Sequence, residues 1–363
     1  MKSYPIPMVP GPVHVPEYIR QAYLQDYGSA DMEPEFLQLY NQTEKNLQTM
    51  MNTKNQVAIM TGEGMLALWS ALKSCLVPGD RVLALATGMF GYGVGEMAKS
   101  LGAQVKTIGF AYNETLHNWP MIEKTIVEYN PKMITAIHCE TPSGTLNPLQ
   151  VLGELKNKHD VPLLYVDMVA SLGGVLVETD AWNIDLALGG SQKVFSAPAD
   201  MSFLSISQTA WNIIESIGYS GYDALLPFRT AQQDFYFPYT PHWHGVAAMH
   251  ASSTALIKEG LTQVFSRHEQ VSRFCRLQLQ KIGYTLFSAE DAIPSPTVTA
   301  VNLPDSITWE QFDSALREQG LVVGGSYGPL KGKVFRLGHM GSQADMILME
   351  RALSVLAKVF HAL

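Results

Sequence analysis

The chain has 363 residues, 47% hydrophobic and 16% charged, enough apolar material for about two globular domains of ~100–200 residues each. A formal net charge of −8 argues against a polyanionic partner such as nucleic acid. Cys75, Cys139 and Cys275 form no CxxC pair. No apolar run is long enough for a membrane span, and Met1 to Pro5 lack the apolar stretch of a signal peptide, so a cytoplasmic protein is expected.

In chain order, Pro5, Pro7, Pro10, Gly11, Pro12 and Pro16 make a stiff extended arm over residues 1–20, lying on the surface or across a site. Periodicity predicts helices over 17–25 and 33–51, the second with Phe36, Leu37, Tyr40, Leu47, Met50 and Met51 on one face. Short apolar strands then alternate with helices. Strands are predicted at 57–60, 82–86, 104–108, 133–137, 163–166, 184–188 and 201–206. Helices are predicted at 65–76, from after Gly91 to Leu101, and at 120–128, 149–159 and 210–217. The alternation implies an α/β fold, a mostly parallel seven-stranded sheet with helices on both faces. Ligands of such sheets bind beyond the carboxyl ends of the strands. The loops after Met60, Ala86, Ile137, Val166 and Leu188 are therefore expected to converge.

Residues 218–243 are rich in glycine, proline and aromatics without a period, and read as an irregular connection. Helices at 245–260 and 261–282 follow. A strand at 297–303, a helix at 308–318, a strand at 334–337 and a helix at 343–363 complete a smaller α+β unit with an antiparallel sheet. The expected division is the arm, a large domain at 21–245 and a small one at 246–363.

Two polar residues stand at the ends of consecutive buried strands. Lys193 follows the small-residue turn Gly189-Gly190-Ser191, and Asp167 ends Leu163-Leu164-Tyr165-Val166. Alone, Lys193 reads as a surface lysine and Asp167 as a helix cap. Together they match a pyridoxal-type cofactor, the lysine forming the Schiff base and moving a proton, the carboxylate keeping the pyridine nitrogen protonated. Phe90 and Val169 are candidates for the two faces of the ring, with ordinary core packing as the other reading of Val169. Thr61-Gly62-Glu63-Gly64 opens a helix in the form of an anion cradle, where a partial charge of about +0.5 faces the ligand. Glu63 either complements that dipole or occupies the place of a phosphate. Arg336, in the apolar run Val334-Phe335-Arg336-Leu337, reads as the holder of a substrate carboxylate or as half of an internal salt bridge. His242, His244 and His250 lack further ligands at metal-binding spacing, so no metal site is read. Cys139, at a strand end near the inferred site, reads as packing rather than as a nucleophile.

Ser191-Gln192-Lys193, the segment Val166 to Gly174 and Glu140-Thr141-Pro142-Ser143-Gly144 together resemble class V aminotransferases of fold type I, nearest the alanine–glyoxylate and serine–pyruvate group. The resemblance runs from Pro10-Gly11-Pro12 to Arg336. It implies pyridoxal 5′-phosphate as cofactor, a small amino acid and a small 2-oxo acid as substrates, and a homodimer with sites at the interface. It implies that Thr141 approaches the ring, that Gln192 joins Gly62 and Gly64 around the phosphate, and that Arg336 and Gly11 lie on the substrate side. Tyr239 and Thr240 are implied to reach the cofactor of the partner subunit. Glu63 departs from that pattern. An acidic residue there resembles pyridoxamine–pyruvate aminotransferases, for which the unphosphorylated vitamer is a substrate, and Ala111 to Glu114 and Gly338 to Gly341 resemble the same branch. Gly324 to Pro329 resembles the alanine–glyoxylate group. Three readings follow: a cofactor-retaining aminotransferase, a pyridoxamine–pyruvate aminotransferase, and a non-catalytic vitamin B6 binder.

Overall fold

The computed structural model describes residues 4–362. In chain order the strands are β1 (Ile6–Met8), β2 (Gln56–Thr61), β3 (Arg81–Ala86), β4 (Gln104–Gly109), β5 (Met133–Ile137), β6 (Cys139–Glu140) and β7 (Thr145–Leu146). They continue as β8 (Leu163–Asp167), β9 (Leu186–Gly190), β10 (Met201–Ile206), β11 (Val298–Asn302), β12 (Leu321–Gly325) and β13 (Val334–Gly338). Seven form the main sheet in the order β2-β10-β9-β8-β5-β3-β4. Only β10 runs against its neighbours; the other pairs are parallel. β5 and β8 are buried along their whole length, as their unbroken apolar runs require of strands covered on both faces. The chain goes outward from β3 to β4 and returns to β5, so the strand order reverses beside the carboxyl ends of β5, β8 and β9, where α/β sheets bind ligands.

The second sheet has the order β1-β12-β13-β11, antiparallel except where β1 runs parallel to β12. Phe36, Tyr165, Phe203 and Trp211 belong to the core around the large sheet, and Phe312, Phe335 and Leu356 to that of the small one. Helix Leu261–Ile282 places Val264 in the first core and Val271, Cys275 and Leu279 in the second.

Three features differ from the sequence-based expectation. The proline-rich arm contributes strand β1, which has no alternation to read. It occupies a sheet edge, where Pro7 loses no ladder hydrogen bond. β12 ends in Gly324-Gly325, normally a strand breaker. A Cβ at Gly324 would fall 2.6 Å from Pro10 Cδ, so the glycine lets the arm lie on the sheet. Gly189 and Gly190 are strand rather than turn. They pair with Phe203 and Ser202 of β10, and the Phe203 ring fills the space a Cβ of Gly189 would take, at 2.4 Å.

Helix Met89–Ser100 sets two opposed glycine effects side by side. Alanine gains roughly 1 kcal/mol over glycine in a helix interior. At Gly93 nothing lies within 4 Å of a new Cβ, whereas at Gly91 it would sit 2.7 Å from Ala86 Cα, a backbone atom of β3. Gly93→Ala is expected to raise the melting temperature and Gly91→Ala to lower it; a thermal melt giving both the same sign refutes this account of the packing.

Candidate active site

The turn after β9 is fixed by its own hydrogen bonds. Ser191 N–H donates to the Met201 carbonyl at 3.0 Å, Ser196 N–H to the Lys193 carbonyl at 2.9 Å, and Ala197 N–H to the Ser191 carbonyl at 3.0 Å. The Ser191 hydroxyl donates to the Pro198 carbonyl and accepts from Met201 N–H at 3.2 Å. These bonds aim the Lys193 side chain inward, where its Nζ donates to the carbonyl of Pro10 in the arm. Gly11, at φ +95°, lies against the lysine stem, with a Cβ there only 2.6 Å from Lys193 Cδ. Burial, and then the Arg336 guanidinium, lower the amine from the ordinary lysine value of 10.5 to about 8.

Asp167 ends β8 and is 6% exposed. Its Oδ1 accepts from Val169 N–H at 2.8 Å. Burial raises it to about 6, against the pull of that N–H and of Lys193. Asp167 and Lys193 line one cavity of about 190 Å³. Glu63, Gly64, Phe90, Thr141, Val169 and Gln192 complete the predicted part of its wall; Met65, Leu68, Cys139 and Ala170 line it as well. Val169 also packs on the helix that begins at Gly64, where a Cβ would meet its Cγ2 at 2.9 Å.

Glu63 precedes helix Gly64–Cys75, and its carboxylate makes no hydrogen bond to that helix. It accepts instead from Gln192 Nε2 at 3.0 Å. Gln192 Oε1 is buried without a partner. Gly62, at φ +139°, donates its N–H to the Asp200 carbonyl at 2.6 Å. Tyr239 lies behind the cradle, its hydroxyl accepting from Thr61 N–H at 3.0 Å and its ring stacked on Tyr222. Thr240 is exposed, and neither residue lines the cavity.

Gly11 and Arg336 line a neighbouring cleft of about 480 Å³ with Pro10, Trp309, Tyr327 and Lys331. Arg336 is 2% exposed. Its Nε donates to the Gly325 carbonyl at 2.8 Å, Nη2 donates to the same oxygen, and its guanidinium carbon stands 4.7 Å from the Tyr327 ring centroid. No carboxylate pairs with it among the described residues. A buried guanidinium without a counter-ion is suited to an incoming carboxylate.

Glu140 was singled out in sequence only as part of a motif. Fully buried, it accepts from Gly91 N–H at 2.7 Å and Phe90 N–H at 3.2 Å, fastening the helix turn that carries Phe90. Burial lifts it to about 7. An acidic residue three positions after an apolar strand was the available signal. The Pro10 carbonyl left no signal in the sequence.

The class V aminotransferase family model matches residues 12–329. The chain belongs to the class V aminotransferases. It is 30% identical to a pyridoxamine–pyruvate transaminase of Mesorhizobium japonicum, over 98% of this chain and 92% of that one. It is also 30% identical to an alanine–glyoxylate aminotransferase of Oryctolagus cuniculus, over 97% and 91%. The solved pyridoxamine–pyruvate aminotransferase of Mesorhizobium loti superposes with a TM-score of 0.95 at 28% identity, covering 99% and 93%. The family uses pyridoxal 5′-phosphate generally, and this aminotransferase offers a cavity lined by Phe90 and Val169 together with the Asp167 carboxyl and the Lys193 amine.

An amine at about 8 is a proton acceptor near neutrality, which an ordinary lysine is not. Because the shift is downward, the neutral form gains as pH rises through about 8. kcat/KM is expected to climb through that range and then level, and Lys193→Ala to lower kcat by roughly 10²–10⁴-fold. Steady-state kinetics across pH test both; a flat profile, or a Lys193→Ala enzyme of undiminished rate, is incompatible with this site.

Proposed function

We propose that this aminotransferase takes pyridoxamine, the unphosphorylated vitamer, as amino donor and a small 2-oxo acid such as pyruvate as acceptor. The observation that carries the reading is the Glu63 carboxylate in the cavity wall at the start of helix Gly64–Cys75, held by Gln192. A helix N-terminus attracts an anion, and at this one the chain supplies its own. Two unit charges 4 Å apart at an effective dielectric of 20 repel by ~4 kcal/mol, so a phosphate beside Glu63 is penalised. The unpartnered Gln192 Oε1 points the same way. Glu63 and Gln192 together offer acceptors, which suit a hydroxyl that donates and not a phosphate that only accepts.

When bound, the pyridine ring supplies the electron sink for the transfer. The chain's own groups do the rest. Asp167 would hold the ring nitrogen and favour its protonated form, Phe90 and Val169 would pack against the ring, and Thr141 would line the cavity beside it. The Lys193 amine takes a proton from the donor's carbon and returns one to the acceptor's, and Arg336 in the adjoining cleft binds the 2-oxo acid's carboxylate. The reading extends to a cytoplasmic homodimer. Tyr222 and Tyr236 are 71% and 76% exposed, and Tyr222 stacks on Tyr239 behind the cradle, as suits a face that a second copy covers.

Purified enzyme given pyridoxamine and pyruvate is expected to form pyridoxal and alanine, and to lose added pyridoxal 5′-phosphate on gel filtration. Glu63→Gly is expected to tighten binding of that phosphate ester at least about tenfold. Retention of the phosphorylated cofactor by the unaltered enzyme, with no turnover of pyridoxamine, refutes the proposal in favour of a cofactor-retaining aminotransferase.

A further inference from the structure

We propose that Gln343 is a positioning residue for the transfer reaction, clasping the N-terminal arm over Lys193 and against the strand that carries Arg336. Its side chain is fully buried, and main-chain groups meet its hydrogen-bonding capacity. Nε2 donates to the Val9 carbonyl at 2.8 Å and to the Gly338 carbonyl at 2.7 Å, and Oε1 accepts from His14 N–H at 3.1 Å. Val9 and His14 bracket Pro10 and Gly11, the residues that touch Lys193. Gly338 is in the strand of Arg336. One amide thus ties the two ends of the lysine-facing segment to the strand of the carboxylate-binding residue.

The neighbouring residue extends the clasp. Ser342 Oγ donates to the His14 carbonyl at 2.6 Å, and Ser342 N–H donates to Ser196 Oγ at 2.9 Å, in the turn after Lys193. Val13 N–H donates to the Gln192 carbonyl at 3.1 Å. The arm lies directly on sheet backbone, since a Cβ at Gly338 would be 2.3 Å from the Val9 carbonyl oxygen.

The chemistry explains the residue type. Pro10 and Pro12 have no N–H, so the segment cannot hold itself by a regular ladder, and its buried polar groups need side-chain partners. A neutral amide offers two donors and an acceptor, matching two carbonyls and one N–H without burying a charge. What the clasp sets is the Pro10 carbonyl that receives Lys193 Nζ, together with the wall that Val9, Pro10 and Gly11 give to the Arg336 cleft. The charged and titratable groups facing the Lys193 amine are Arg336 on β13, Cys139 on β6, Asp167 on β8 and Glu63 before helix Gly64–Cys75. The arm acts on the amine through its carbonyl and by excluding water.

The inference rests on the roles proposed above for Lys193 and Arg336. Gln343→Glu keeps the shape and the acceptor but removes the amide donors to Val9 and Gly338. Ser342→Ala loosens the same arm without leaving a buried orphan beside Lys193. For Gln343→Glu, KM for the 2-oxo acid is expected to rise on the order of tenfold or more. The acid limb of kcat/KM is expected to move to higher pH as water reaches the amine, and Ser342→Ala to make both changes in smaller measure. If both variants keep KM and the acid limb within about twofold, whatever their melting temperatures, the clasp is only structural and the proposal is overturned. Should Gln343→Glu fail to fold, Ser342→Ala decides by the same two readouts. Lys193→Ala, run alongside, separates the two levels: full activity there refutes the site assignment itself, whereas an inactive Lys193→Ala with normal Gln343→Glu refutes the clasp alone.

Discussion

Four ionisable side chains, the buried Glu140, Asp167 and Arg336 and the half-buried Lys193, gather around the mouth of one sheet, and the cost of removing them from water governs the site. Burial disfavours the charged form of each. The carboxyls are pushed up, Glu140 to about 7 and Asp167 to about 6, and the lysine is pushed down to about 8. In a solvent-exposed cluster of the same residues both carboxyls are ionised and the amine is protonated at neutral pH, so no neutral amine is available to take a proton. The seven-stranded sheet and its large apolar core supply the stability against which these charges are held.

The parallel strands were legible in sequence because each is an unbroken apolar run ended by a turn, as in Met133–Ile137 and Leu163–Asp167. That Lys193, Asp167 and Glu63 line one cavity was legible too, because a polar residue at the end of such a run has one place to point; Phe90, Val169 and Gln192, expected there on other grounds, line the same cavity. What was not legible depends on contacts distant in sequence. β1 is a strand only because β12, more than three hundred residues later, pairs with it. Gly189 and Gly190 are strand only because Phe203 covers them. The Pro10 carbonyl and Gln343 carry no local signature, since their meaning lies in where the arm lands.

The arm also explains how the two sheets share a site. β1 belongs to the small sheet, while the residues after it cross to Lys193 of the large one. A displacement of the small sheet therefore moves the contact on the lysine together with the guanidinium of Arg336. Helix Leu261–Ile282, rooted in both cores, opposes such a displacement.

Glu63 bears on a different degree of freedom. The strands, the lysine and the ring-facing carboxylate are common requirements of the chemistry, whether the vitamer stays or leaves. The cradle at the start of helix Gly64–Cys75 bears on how firmly a phosphorylated vitamer would be held, because a helix N-terminus attracts an anion. On the proposed reading, the Glu63 carboxylate beside that helix start opposes a phosphate while leaving the ring's surroundings intact. On that reading the vitamer would be oriented by contacts in a cavity of about 190 Å³ and by the Asp167 carboxylate, and would exchange. On this view a single carboxylate converts a prosthetic group into a substrate, with Lys193 and Asp167 unchanged.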